Sequence, residues 1–161
     1  MIKANMHYLV TPSINSLSLF GYKDLFNSFV KMNENNVLPN TILLSGQQGI
    51  GKSTFAFHFI NFLLSRDEIS KYSLENLSIN PDNRSYKLLC EKLHSNFFLL
   101  ENHLSDEIIK IEQIRNLLNF LNKSTYSKDL KIVLINNAEF LNKSSSNALL
   151  KVLEEPGLNT Y

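Results

Sequence analysis

The chain has 161 residues, of which 43% are hydrophobic and 19% charged, with a formal net charge of +1. A chain of this length buries roughly two-thirds of its unfolded surface, so these values describe one globular domain with its own core and exclude a disordered chain or a second full domain. The charge is too small to mark a nucleic-acid-binding face by itself, and the single cysteine, Cys90, excludes an intrachain disulfide and a cysteine-rich zinc site.

The first stretch, "MIKANMHYLVTPSINSL", lacks the apolar core of a signal peptide, and no run approaches the ~18 apolar residues of a membrane span. A reduced, cytoplasmic protein is expected. Leu25, Phe26, Phe29 and Val30 then form a helical stripe of about three turns, ended by an asparagine-rich tail and Pro39. "NTILLSG" follows, and the apolar run Ile42 to Leu44 predicts a buried parallel strand. It leads into "GQQGIGKST" and then into Phe55, Ala56, Phe59, Ile60, Leu63 and Leu64 at helical spacing.

From Ser65 to Glu91 the sequence turns polar and reads as an excursion over the surface, with a short helix at Tyr86 to Leu93. "FFLL", Phe97 to Leu100, predicts a second buried strand. Ile108, Ile111, Ile114, Leu117, Leu118 and Leu121 mark an amphipathic helix, and "KIVLI" a third strand. Asn142 or Ser144 can cap a final helix carrying Ala148, Leu149, Val152 and Leu153, while Pro156 disfavours helix beyond Glu154. Apolar strands alternating with helices predict an α/β fold, a parallel sheet covered by helices on both faces.

"GQQGIGKS" fits the phosphate-loop pattern G-x-x-x-x-G-K-[ST] at Gly46, Gly51, Lys52 and Ser53, with Gly49 as an extra glycine. A triphosphate needs several backbone N–H groups turned inward, and glycines permit that shape. The helix starting near Lys52 adds its positive end. Lys52 is placed to reach the β- and γ-phosphates and the Ser53 hydroxyl to face Mg²⁺, with Thr54 as a neighbouring hydroxyl. A glycine turn before a buried helix is the plain structural reading; the strand-loop-helix order favours phosphate binding.

Phosphoryl-transfer enzymes of this kind carry an aspartate at the end of a neighbouring strand, and many a following acid. Here Asn136 and Asn137 hold those positions. An asparagine accepts a hydrogen bond but takes no proton at neutral pH. A lost outer-shell metal partner costs about 10 to 100-fold in affinity or activity, and a lost general base about 10² to 10⁴-fold in rate, so hydrolysis suffers more than binding. Glu139 lies past the strand and reads as a solvated side chain, and Asp129 sits at the strand's other end. No catalytic residue is assigned.

"LNKSSSNALLKVLEEP", Leu141 to Pro156, resembles the segment after the Walker B strand in bacterial clamp-loader ATPase subunits. "LFGYKDLFNSF", "LPNTILLSGQQGIGKST" and "IEQIRNLLNFL" are similar, in the same order, to that family's leading helix, Walker A region and the helix before Walker B, so the likeness runs from about Leu19 to Pro156. Within the gamma/tau/delta-prime group, I-N-N-A-E at Ile135 to Glu139 looks like the delta-prime version D-D-A-D with two acids amidated.

The resemblance implies a P-loop NTPase of the AAA+ type, cut short at its C-terminal end, without the sensor strand, arginine-finger motif, lid and collar. It implies a clamp-loader subunit in DNA replication that binds ATP with Mg²⁺ weakly or structurally, with weak or absent ATPase activity of its own. Its partners would be the gamma/tau and delta subunits, the sliding clamp indirectly, and primed DNA through the complex. The family's four-cysteine zinc module has no counterpart around Cys90, so no zinc is expected. Lys143 and Lys151 lie in a region that faces DNA in the family, although scattered lysines also read as a solvated face. An active gamma/tau-type ATPase is the competing reading, opposed by Asn136 and Asn137. A small P-loop kinase is a further one, opposed by the wide spacing of Arg66, Arg84 and Arg115.

Overall fold

Two apolar tetrapeptides separated by a helix build the sheet. The computed structural model describes residues 12–101, 108–123 and 130–161. Along these the order is a 3-10 turn (Ser13–Asn15), α1 (Lys23–Glu34), α2 (Lys52–Leu64), α3 (Arg84–Cys90), β1 (Phe97–Leu100), α4 (Ile111–Asn122), β2 (Ile132–Ile135), a second 3-10 turn (Ala138–Phe140) and α5 (Lys143–Glu154). β1 and β2 pair in parallel, Phe97 opposite Ile132 and Leu100 opposite Ile135.

Side chains alternate across a strand, which divides the interior in two. Phe97, Leu99, Ile132 and Leu134 join a core containing Phe26 and Val30 of α1 and Phe55, Phe57, Phe59 and Ile60 of α2. Phe98, Leu100, Val133 and Ile135 join a second core with Ile109, Ile114 and Leu117, and Leu149 of α5. Helices therefore cover both faces of the sheet, which is why both strands are apolar throughout.

Helix α2 is buried nearly all round. Its six spaced apolar residues are buried as the periodicity predicts, and so are Phe57, His58 and Asn61. Phe26 stacks on Tyr72 at 5.2 Å between ring centres and meets Phe55 and Phe59 edge-on at 5.7 and 5.8 Å. His58 is fully buried, its Nδ1 2.9 Å from the Tyr72 hydroxyl and its Nε2 3.1 Å from the Ser16 carbonyl. A neutral imidazole satisfies both contacts, with Nε2–H donating to Ser16 and Nδ1 accepting from Tyr72. Burial pushes the His58 pKa down to about 4, against a smaller opposing pull from the Ser16 carbonyl.

Several sequence expectations need correction. Ile42 to Leu44 forms no strand, and Ile42 and Leu43 are 37% and 82% exposed. A strand needs a ladder partner, and the free edge of β2 pairs instead with residues 159–161: Lys131 N–H donates to Asn159, Tyr161 N–H to Lys131, and Val133 N–H to Tyr161. Asn40 reaches that segment, donating from Nδ2 to the Thr160 carbonyl at 2.8 Å, so the 42–44 stretch runs nearby without a ladder of its own. The sheet described has two strands where three were expected.

The Ser65 to Glu91 stretch is more than a surface excursion. Tyr72, Leu77 and Ile79 enter the first core, because side chains supply the hydrogen bonds the irregular backbone needs. Ser65 Oγ accepts from Tyr72 N–H, and Asn83 Nδ2 donates to Ser70 while its Oδ1 caps α3 through Tyr86 N–H. Glu68 accepts from the amides of Arg84 and Ser85 at the same helix start. That helix begins and ends earlier than the sequence suggested, at Arg84–Cys90.

The stripe preceding β2 shifts as well. Ile108 lies outside α4 and is 56% exposed, whereas Ile109 is buried and bridges Leu141 in parallel. On α1, Leu25 faces outward and the buried pair is Phe26 and Val30. α5 follows its signals closely: Asn142 is the cap, accepting from Ser145 N–H at 2.8 Å, and the helix stops at Glu154 ahead of Pro156. Asp129 lies outside the described residues.

Candidate functional site

The segment from Gly46 to Gly51 leads directly into α2, so the glycine pattern sits at a helix N-terminus. Gly49 and Gly51 adopt φ of +82° and +97°, a left-handed backbone costly to any residue with a Cβ. Glycine permits this backbone at both positions, as a loop whose N–H groups must turn toward an anion requires. Gly51 is the N-cap of α2, and its carbonyl accepts from Phe55 N–H at 2.9 Å, so the first turn is closed.

Lys52 opens the helix and its side chain folds back over the loop. Its Nζ donates to the carbonyls of Gly46 and Gln47, both at 2.8 Å. An ammonium has three N–H donors, so one remains for a phosphate oxygen. Thr54 follows two positions later, half-buried in the first turn.

Ser53 connects the loop to the sheet. Its hydroxyl donates to Asn136 Oδ1 at 2.8 Å, across 83 residues of sequence. Asn136 extends the parallel ladder by one rung, its N–H donating to the Leu100 carbonyl at 2.8 Å, and that bond fixes the side chain at the loop. Because the proton of Ser53 goes to Asn136, the oxygen lone pairs stay available to a cation. One neutral hydroxyl suits a magnesium held mainly by phosphate oxygens and water.

The two asparagines separate here. Asn136 is half-buried at the site, whereas Asn137 is exposed with φ +60°, in the left-handed region, and starts the 3-10 turn Ala138–Phe140. Asparagine is among the few side-chain-bearing residues that enter this region readily. Asn137 therefore serves the turn that takes the chain out of the sheet. Glu139 is exposed in the 3-10 turn, which matches its reading as a solvated side chain.

Among the predicted site residues, the structure brings Gly46, Lys52, Ser53 and Asn136 together through hydrogen bonds. It also brings in Tyr22, which sequence reasoning passed over. The Tyr22 hydroxyl donates to the Ile50 carbonyl at 2.5 Å, and the ring lies against Gly51, where a Cβ would sit 3.5 Å from it. No local signal could reveal a contact across 28 residues. The described residues hold no group of three or more His, Cys, Asp or Glu side chains able to share a metal ion. None of their helices is long and apolar enough to cross a membrane.

The sequence model of the family described as "DNA polymerase III, delta subunit" matches residues 21–161. The chain is similar to DNA polymerase III subunit delta' of Pseudomonas aeruginosa, 32% identical over 118 residues covering 73% of this chain and 34% of that protein. It is similar to subunit delta' of Buchnera aphidicola subsp. Baizongia pistaciae, 31% identical over 130 residues, covering 76% and 36%. It is also similar to subunit gamma of Buchnera aphidicola subsp. Acyrthosiphon pisum, 30% identical over 115 residues, covering 71% and 29%. The chain spans about a third of the length of the curated relatives it matches.

Proposed function

The chain belongs to the DNA polymerase III delta-subunit family as a delta-prime-type N-terminal part, and on that premise we propose that it serves in DNA replication as a clamp-loader subunit that binds Mg·ATP and turns it over slowly or not at all. The domain is then of the AAA+ type, with Gly46 to Thr54 as its phosphate loop. Its partners are the other clamp-loader subunits in the cytoplasm, and through them the sliding clamp and primed DNA.

The observation that carries this reading is the hydrogen bond from Ser53 to Asn136. An amide oxygen performs the binding half of the task normally given to an aspartate, since it accepts the serine hydroxyl's hydrogen bond and leaves the serine oxygen's lone pairs open to Mg²⁺. When bound, the metal would screen the triphosphate charge. Lys52 would neutralise part of it, and the loop amides would orient it. The amide cannot hold a proton released from an attacking water, and Asn137 stands in a turn, so neither supplies a general base. Binding and hydrolysis are thereby separated by one functional group.

The gamma-named relative favours the active-ATPase reading in name, but Asn136, an amide that takes no proton, opposes it at the site. Calorimetric titration of Mg·ATP into the protein, beside Lys52→Ala, tests the proposal, with phosphate release measured on the same samples. Saturable binding lost in the variant, with negligible turnover in either, is the expected result. Rapid hydrolysis by the unaltered protein would refute it, as would binding unaffected by Lys52→Ala.

A further inference from the structure

We propose that Tyr22 is a positioning residue for the phosphate loop, holding the turn at Ile50 and Gly51 in its anion-receiving shape before any ligand arrives. The inference rests on the nucleotide reading for its purpose, and on geometry alone for its mechanism.

Three observations converge on it. Tyr22 stands at the N-cap of α1, where a Ser, Thr, Asp or Asn would cap the helix, yet its side chain caps nothing there. Its hydroxyl instead donates to the Ile50 carbonyl, on the last residue before Gly51. Its ring edge lies over Gly51, and the same ring meets Phe55 of α2 edge-on at 5.6 Å. One side chain thus touches the end of the loop, the N-cap of α2 and the first turn of that helix.

The physical consequence concerns the direction of the Ile50–Gly51 peptide. When the Ile50 carbonyl points at Tyr22, the N–H of Gly51, on the other side of that planar peptide, points the opposite way. Fixing one peptide unit in a glycine-rich loop removes conformations that would otherwise have to be given up on binding. The cradle becomes preorganised by an element 28 residues upstream. The anchor itself is firm, because the neighbouring Phe26 and Val30 of α1 are buried in the first core.

Tyr22→Phe isolates the hydroxyl, since it keeps the ring against Gly51 and Phe55. Amide hydrogen exchange of the ligand-free protein is read for residues 46–51 and for the far end of α2 as an internal control. Removing one hydrogen bond is expected to speed exchange in the loop by about 3 to 10-fold and to weaken Mg·ATP binding by a similar factor. The control amides should stay as they were, and the thermal midpoint should fall by no more than about 2 to 4 °C, which is what one such bond is worth in a chain of this size.

Loop exchange equal to that of the unaltered protein overturns the proposal. So does an acceleration spread equally over α2, which would mean general loosening of the α1 contact. If neither the unaltered protein nor Lys52→Ala binds Mg·ATP, the nucleotide reading fails by itself, and loop exchange still decides whether Tyr22 holds the turn.

Discussion

Replacing Asn136 by Asp converts a neutral acceptor into a charged one without moving any atom, which makes it a sharp probe of the site. The Ser53 hydroxyl already donates to Oδ1 at 2.8 Å, so the aspartate inherits that bond and strengthens it, charge-assisted hydrogen bonds being roughly twice as strong as neutral ones. The second carboxylate oxygen also replaces an NH₂ group, so it can accept from metal-bound water where the amide could only donate. Outer-shell partners of this kind are worth about 10 to 100-fold in metal affinity, so Mg·ATP should bind about 10-fold more tightly, or about 1.4 kcal/mol.

Without magnesium the sign reverses. A new negative charge near the triphosphate repels it by about 1 kcal/mol in a partly solvated site, so ATP in EDTA should bind more weakly to Asn136→Asp than to the unaltered protein. Asn136→Ala removes the acceptor and should weaken Mg·ATP binding by about 10-fold, because it leaves the Ser53 hydroxyl unpaired. Calorimetric titrations of all three proteins, with Mg²⁺ and with EDTA, supply the comparison. Equal gains for Asn136→Asp under both conditions would refute the metal-linked role of this position, and unaltered affinity in Asn136→Ala would refute the Ser53 contact as a functional one.

The second asparagine should respond differently, because its backbone is left-handed: Asn137→Glu should cost about 1 kcal/mol of stability and Asn137→Gly only a few tenths, measured by urea unfolding. Equal effects of the two would show that the turn does not select the residue. His58 should make the fold acid-sensitive. Its pKa is about 4 in the folded chain against an ordinary 6.5, so below 6.5 the unfolded state takes up a proton that the folded state refuses. The stability it supports is therefore whole above pH 6.5 and falls by about 2 kcal/mol at pH 5 and about 3 kcal/mol at pH 4. Urea titrations across that range check it against His58→Leu, which should be less stable at pH 7 and should lose this part of the pH dependence. An unchanged pH dependence in the variant would assign the effect to other groups.

Much of the molecule was legible because its determinants are local. Phe97 to Leu100 forms β1 as its unbroken apolar run suggests, and α5 begins after Asn142 and ends before Pro156, where capping and proline chemistry place its limits. The glycine spacing likewise places the loop before α2 and Lys52 at its mouth. Each of these depends on a few neighbouring residues and on rules that act within a turn or a strand.

Other features were decided by segments far apart in sequence. Ile42 to Leu44 has the composition of a strand, yet a ladder needs a partner's N–H and C=O groups, and the edge of β2 meets Asn159 and Tyr161 instead. Tyr72, Leu77 and Ile79 are isolated apolar residues without a period, and they are buried because Ser65, Glu68 and Asn83 satisfy the surrounding backbone. Sequence placed two amides where two acids were expected, but only the folded chain separates their roles. The ladder bond to Leu100 turns Asn136 toward Ser53, and the left-handed turn leaves Asn137 exposed. Periodicity and propensity report on neighbours along the chain, whereas pairing, burial and the reach of Tyr22 to Ile50 depend on neighbours in space.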